Sequence, residues 1–268
     1  MSKIITLPEL LESRLPSIIS SIAQENKINV FSENPDFLEE RLVKWHQFGL
    51  LTHTINVRKA FLSELPNLIE CWNLSQPYNS VMNQEVDKIP KKNLLEISIP
   101  LHDLGKIITY GDERVDRMHE IASKNLIYEP FLNSLLASLG LSAKHIDLIA
   151  RCIETHDIIG KQLRDPLKHE GNLNLEYLKS EKEEVAKRSR NLANRYFDIK
   201  FEAGVYFLCD SLGKADLRIK ADTSEDIKNQ EQEIENQIKS RNLNSGLKYA
   251  AMQLPSNMKL AEIYLKNI

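Results

Sequence analysis

Residues 94–106 read Leu94-Leu95-Glu96-Ile97-Ser98-Ile99-Pro100-Leu101-His102-Asp103-Leu104-Gly105-Lys106. Apolar residues recur there at three- and four-residue steps, the spacing of a buried helix face and not the alternation of a strand. The run then ends on an imidazole and a carboxylate side by side. The same helical period continues through nearly the whole chain, and only nine glycines interrupt it. The sequence therefore predicts an all-α fold, a helical bundle with helical N- and C-terminal extensions.

Working outward, Asn34-Pro35 offers a cap and a first-turn proline for a helix running from residue 36 toward residue 65, with Pro66 redirecting the chain. Residues 76–92 are polar and hold Pro77 and Pro90, so they read as a surface loop. Further helices are expected over 94–104, 115–127, 142–155 and 181–217, with Ser142 as a cap and Gly105, Gly140 and Gly160 at helix ends. Residues 222–244 are rich in Glu, Lys and Gln and read as an exposed helix or linker. A terminal helix over 247–268 is expected to break at Pro255. Residues 1–220 are thus read as one domain with an N-terminal helical extension, and 221–268 as a charged linker and terminal helix.

A chain of 268 residues with 42% hydrophobic and 27% charged residues has the composition of a folded globular protein. Lys+Arg 35 against Asp+Glu 38 gives a formal charge of −3, so nothing pulls the whole chain toward nucleic acid or an anionic membrane. Nucleic acid is not thereby excluded as a partner, but any phosphate recognition must be local. Cys71, Cys152 and Cys209 share no metal-site spacing and read as reduced thiols. No secretory or membrane-spanning stretch stands out, which sets a cytoplasmic expectation.

The chemistry begins with polar side chains inside apolar stripes, where burial costs several kcal/mol unless something binds them. His53 follows Leu50 by three and precedes Val57 by four; His119 stands likewise between Val115 and Ala122; His156 follows Ile149 and Ile153. Each alone is more commonly a core histidine bonded to a carbonyl. Asp210 lies in Ala203-Gly-Val-Tyr-Phe-Leu-Cys-Asp210-Ser-Leu212, a segment apolar on most faces, where a lone carboxylate needs a cation. Imidazole and carboxylate together suit Zn²⁺, Fe, Mn²⁺, Co²⁺ or Ni²⁺, and admit Mg²⁺.

His53, His102-Asp103 in PLHDLGK and Asp210 in LCDSLGK together resemble the H…HD…D signature of the HD-domain superfamily of helical metal-dependent phosphohydrolases. The likeness extends over roughly residues 36–218. His119 in RMHE and His156 in ETHD fall where dinuclear members place further ligands, and the layout is also similar to the HD domain of bacterial tRNA nucleotidyltransferases. The resemblance implies a divalent-metal site of one or two ions held by His53, His102, Asp103, His119, His156 and Asp210. In its dinuclear form Asp103 bridges, with His53 and Asp210 on one ion and His119 and His156 on the other. It implies hydrolysis of a phosphomonoester or phosphodiester, of a nucleotide or nucleic-acid end, by metal-activated hydroxide, with Asp103 and Lys106 as the catalytic residues. Lys106, Arg117 and Lys214 are the phosphate-binding candidates, and Arg195 is a fourth. Asp157, directly after His156, could orient that imidazole or simply cap the helix end, and no role is assigned to it.

Pro100 departs from a regular helix just before the HD pair, no GYP motif follows, and the HDxxxHPxxH pattern of dNTP triphosphohydrolases is absent. A six-ligand site also resembles that of myo-inositol oxygenase-like diiron enzymes, so O₂ chemistry is the second reading, and a nucleotide-sensing module without turnover is the third.

Overall fold

The structure, a computed structural model, describes residues 6–37, 47–111, 118–168, 173–216, 224–242 and 246–268. Most of the described residues are helical, and the strands among them form one two-stranded antiparallel pair, so the fold is all-α as expected. No helix of the described residues is long and apolar enough to cross a membrane. The chain folds into two compact units, Met1–Phe37 with Ser75–His156, and Leu38–Leu74 with Asp157–Ile268.

The first unit begins with the Leu7–Glu25 helix, fixed at its start by a reciprocal cap in which Thr6 Oγ1 accepts from the Glu9 amide and Glu9 accepts from the Thr6 amide at 2.9 Å. Leu11, Leu15, Ile18, Ile19 and Ile22 form its buried stripe. This helix packs on Lys91–Ser98 and Gly105–Ile108, while Ala143–Thr155 packs on Lys91–Ser98 and on His119–Tyr128. Ser142 caps Ala143–Thr155 as the sequence suggests, with His145 in the place usually held by Glu: its Nδ1 accepts from the Ser142 amide at 3.0 Å. The other ring nitrogen donates to the Val86 carbonyl at 2.7 Å, pinning the hairpin to the helix.

Several boundaries differ from expectation. Residues 76–92 are not a loop: Ser75–Met82 is helical, because Pro77 falls in a first turn where its missing N–H costs nothing. Glu85–Val86 then pairs with Ile89–Pro90 across Asp87 and Lys88, whose φ of 43° and 72° make the tight turn of a hairpin. Asn34-Pro35 opens a turn instead of a helix, since the Asn34 carboxamide and carbonyl accept from the Asp36 and Phe37 amides. Gly140 does end a helix, at a φ of 86°, but Gly105 and Gly160 stand at the starts of helical turns. At Gly160 the Asp157 carboxylate fills the space a β-carbon would take, 2.0 Å from its position.

In the second unit the Lys200–Leu212 helix is buried from Phe201 to Leu212 and packs on Leu50–Ser63 and Gly246–Lys266. Gly204 permits the last contact, since a β-carbon there would lie 2.6 Å from Leu265. The expected single helix over 181–217 is two, Lys182–Arg195 and Lys200–Leu212, because the chain turns through Tyr196 and Ile199 with no proline or glycine to announce it. Nor does Pro255 break the terminal helix. Gly246–Lys266 is continuous, held beside the proline by Ser256 Oγ donating to the Leu173 carbonyl at 2.9 Å and Gln253 accepting from the Leu173 amide. Ser224–Arg241 is helical and packs on it.

Candidate metal centre

Within the first unit, the Lys91–Ser98 helix gives way to a 3₁₀ turn, Ile99–Leu101, containing Pro100. The expected helix over 94–104 therefore stops early, because a proline nitrogen cannot continue the α-helical ladder. His102 and Asp103 follow in a turn, and the chain re-enters a helix at Gly105. Gly105 is the point of docking. Its amide donates to Ser123 Oγ at 2.7 Å, and a β-carbon would lie 2.1 Å from the His119 carbonyl oxygen. The absent side chain lets the His102-Asp103 turn press against the His119–Tyr128 helix, and this carries His119 up to Asp103.

His102 and His156 are oriented in the same way. The Ile99 carbonyl accepts from His102 Nδ1 at 2.8 Å, and the Ile153 carbonyl accepts from His156 Nδ1 at 2.7 Å. A carbonyl can only accept, so each ring carries a proton on Nδ1 and turns its Nε2 inward. Outer hydrogen bonds of this kind are what fix imidazoles that ligate metals.

The inward nitrogens meet the two oxygens of Asp103. Oδ2 lies 3.3 Å from His102 Nε2 and 2.6 Å from Lys106 Nζ, while Oδ1 lies 3.3 Å from His119 Nε2 and 3.7 Å from His156 Nε2. The two Nε2 atoms of His119 and His156 are 3.3 Å apart. Two ligands on one ion at about 2.1 Å, with angles between about 90° and 120°, stand about 3.0–3.6 Å from each other, so the pairs at 3.3 Å have the separation of two ligands on one metal. Two donor sets, His102 with Asp103 and His156, and His119 with Glu120 and His156, cluster tightly enough to hold one.

Electrostatics keep these donors ready. Burial pushes the Asp103 carboxyl up, but the charges of His102 and Lys106 and hydrogen bonds from His102 and His119 outweigh it and hold the group well below the usual carboxylate range. Burial, with the neighbouring His102 and His119, depresses His156 to about 3, so its ring is neutral near pH 7. For His119, burial lowers the pKa, but the hydrogen bond to Asp103 and the charge of Glu120 raise it on balance.

In the second unit, His53 and Asp210 meet. His53 lies on the inner face of Leu50–Ser63 with Leu50 and Val57, fully buried. Its Nδ1 donates to the Gly213 carbonyl at 3.1 Å, and its Nε2 faces Asp210 Oδ1 at 3.1 Å. Lys214 Nζ lies 2.6 Å from Asp210 Oδ2. Gly213 allows the approach, since a β-carbon there would be 2.6 Å from Val57 Cγ2. A buried carboxylate with an imidazole on one oxygen and a lysine on the other is thus built in each unit, and the sequence Leu-Gly-Lys follows in both.

Of the phosphate candidates, Lys106 and Lys214 are on these carboxylates, Arg195 ends its helix with an exposed side chain, and Arg117 lies outside the described residues, as does Val115. Sequence reading passed over Glu120, a carboxylate only 4% exposed with Oε1 3.7 Å from His119 Nε2. Its signal was available: a glutamate directly after a candidate ligand at the start of an apolar-faced helix. Comparison with protein-family models, with curated proteins and with solved structures gives no match for this chain.

Proposed function

We propose that this protein is a metal-dependent phosphohydrolase that cleaves a phosphomonoester or phosphodiester, of a nucleotide or nucleic-acid end. Its centre is the set that the HD-like pattern implies: His53, His102, Asp103, His119, His156 and Asp210 around one or two divalent transition-metal ions. The observation that carries the reading is Asp103, whose two oxygens face different inward-turned imidazoles at ligand spacing. When bound, such ions supply Lewis acidity and an activated water.

The chain's own residues supply the rest. Asp103 spreads its charge over two groups of donors, and the carbonyls of Ile99 and Ile153 keep the rings from turning. Lys106 and Lys214 each balance a buried carboxylate. With a divalent ion on its carboxylate, each ammonium would be left able to hold a phosphate oxygen. A lysine set on the buried carboxylate in each unit supports a phosphorylated substrate over O₂ as the reactant. Purified protein assayed for bound metal, then for phosphate release from nucleoside monophosphates, cyclic nucleotides and simple phosphomonoesters with each divalent ion under argon, tests this. Turnover without oxygen supports hydrolysis; oxygen consumption with no phosphate release overturns it.

A further inference from the structure

We infer that Glu120 is a metal ligand, completing with His119, His156 and Asp103 Oδ1 the donor set of the second ion, an assignment that rests on the proposed two-ion centre. Four observations carry it. Glu120 is a carboxylate buried in the first unit, where an anion is costly without a cation beside it. Its Oε1 lies 3.7 Å from His119 Nε2, the same separation as between Asp103 Oδ1 and His156 Nε2. Glu120, His119 and His156 form one of the donor clusters tight enough for a single ion. Finally, His156 has one inward nitrogen, because its Nδ1 is committed to the Ile153 carbonyl, so it can serve only one ion.

The division of donors follows. His102 and Asp103 Oδ2, 3.3 Å apart, would serve one ion, and His119, His156 and Asp103 Oδ1 the other. Without Glu120 the second set has two nitrogens and one oxygen shared with its neighbour. With Glu120 it has two imidazoles and a carboxylate of its own, a set suited to Fe, Mn²⁺ or Co²⁺ and to keeping an open position for a reactant. Glu120 adds a negative charge to this ion alone, so the two ions should differ in affinity.

The test is titration of Co²⁺ into the metal-free full-length protein, followed by calorimetry and the visible ligand-field spectrum, for wild type, E120Q and E120D. The expected result is two binding events in wild type, and in E120Q a weakening of one event by at least about tenfold with a changed spectrum and the other event intact. E120D, which keeps the charge one methylene back, should recover part of that affinity. If E120Q loses its helical circular dichroism, E120D alone decides, and weakened binding of one ion in a folded E120D supports the assignment. Two events of wild-type affinity in a folded variant overturn the role of Glu120 and leave the metal centre standing. A wild-type chain that binds no ion overturns the proposed function itself.

Discussion

The Nε2 atoms of His119 and His156 stand 3.3 Å apart, although the residues are 37 positions apart in sequence and belong to different helices. The rings meet because His119–Tyr128 packs along Ala143–Thr155, with His119 opening one helix and His156 closing the other. If both nitrogens serve one ion, His156→Ala should lower bound metal toward one ion per chain and abolish turnover. Metal analysis of both proteins after saturation checks this, and equal stoichiometry would show that the imidazoles act on substrate instead.

Gly105→Ala should loosen the turn that carries His102 and Asp103. The added carbon meets the His119 carbonyl oxygen at 2.1 Å and the Ser123 amide nitrogen at 2.5 Å, all backbone or close to it, so the contact cannot be relieved by rotating a side chain. A stability loss of about 2–3 kcal/mol is expected from such overpacking, read by urea unfolding. Metal affinity should fall with it. A variant of unchanged stability would mean that the docking of the turn is softer than its geometry implies.

Stripped of metal, the protein should lose stability as pH falls below about 6.5. The folded state holds His156 near 3 by burial and by the proximity of His102 and His119, whereas an unfolded histidine takes its proton near 6.5. Between those values the unfolded chain binds the extra proton, so stability declines toward acid by up to about 1.4 kcal/mol per pH unit, roughly 2 kcal/mol between pH 7 and 5. His119 acts in the opposite sense and higher up. Its raised pKa lets the folded state take a proton first, adding stability as pH drops to about 6.5 and nothing below. Unfolding of wild type and His156→Gln in chelator at pH 7 and 5 compares the slopes, and identical slopes count against a neutral buried His156.

Lys106→Met should separate metal binding from catalysis. The ammonium, 2.6 Å from Asp103 Oδ2, competes with any cation for that oxygen. Its removal should leave metal affinity unchanged or raised while phosphate release falls by about a hundredfold, the scale on which a single transition-state charge contact acts. Lost metal binding together with lost activity would make Lys106 a structural partner of Asp103 and nothing more.

Much of this was legible in the sequence because burial leaves a period. The stripes around His53, His102 and Asp210 marked those residues as inward-facing, and they are buried. What could not be read was set by backbone geometry. Nothing in the sequence says that the ring protons of His102 and His156 point to carbonyls three residues back, or that Tyr196 and Ile199 divide a helix. Prolines misled in both directions: Pro77 and Pro255 lie inside helices, where a first-turn position and flanking hydrogen bonds accommodate them. Gly105 and Gly160 read as stops because glycine usually ends helices, but here both are glycine because another group occupies the space of the side chain.

The hydrogen bonds from His102 and His156 to their own turns also bear on which element the protein would carry. Because hydrogen bonds within the chain hold these two rings, their aim would not rest on a bound ion, unlike small zinc domains that are unfolded without metal. A mixed nitrogen and oxygen site so held would rank divalent ions largely by their intrinsic order of affinity, Mn²⁺ below Fe²⁺ below Co²⁺ below Ni²⁺. Supply would then decide the occupant, so protein made in media enriched in different metals should fold alike and differ in its bound metal.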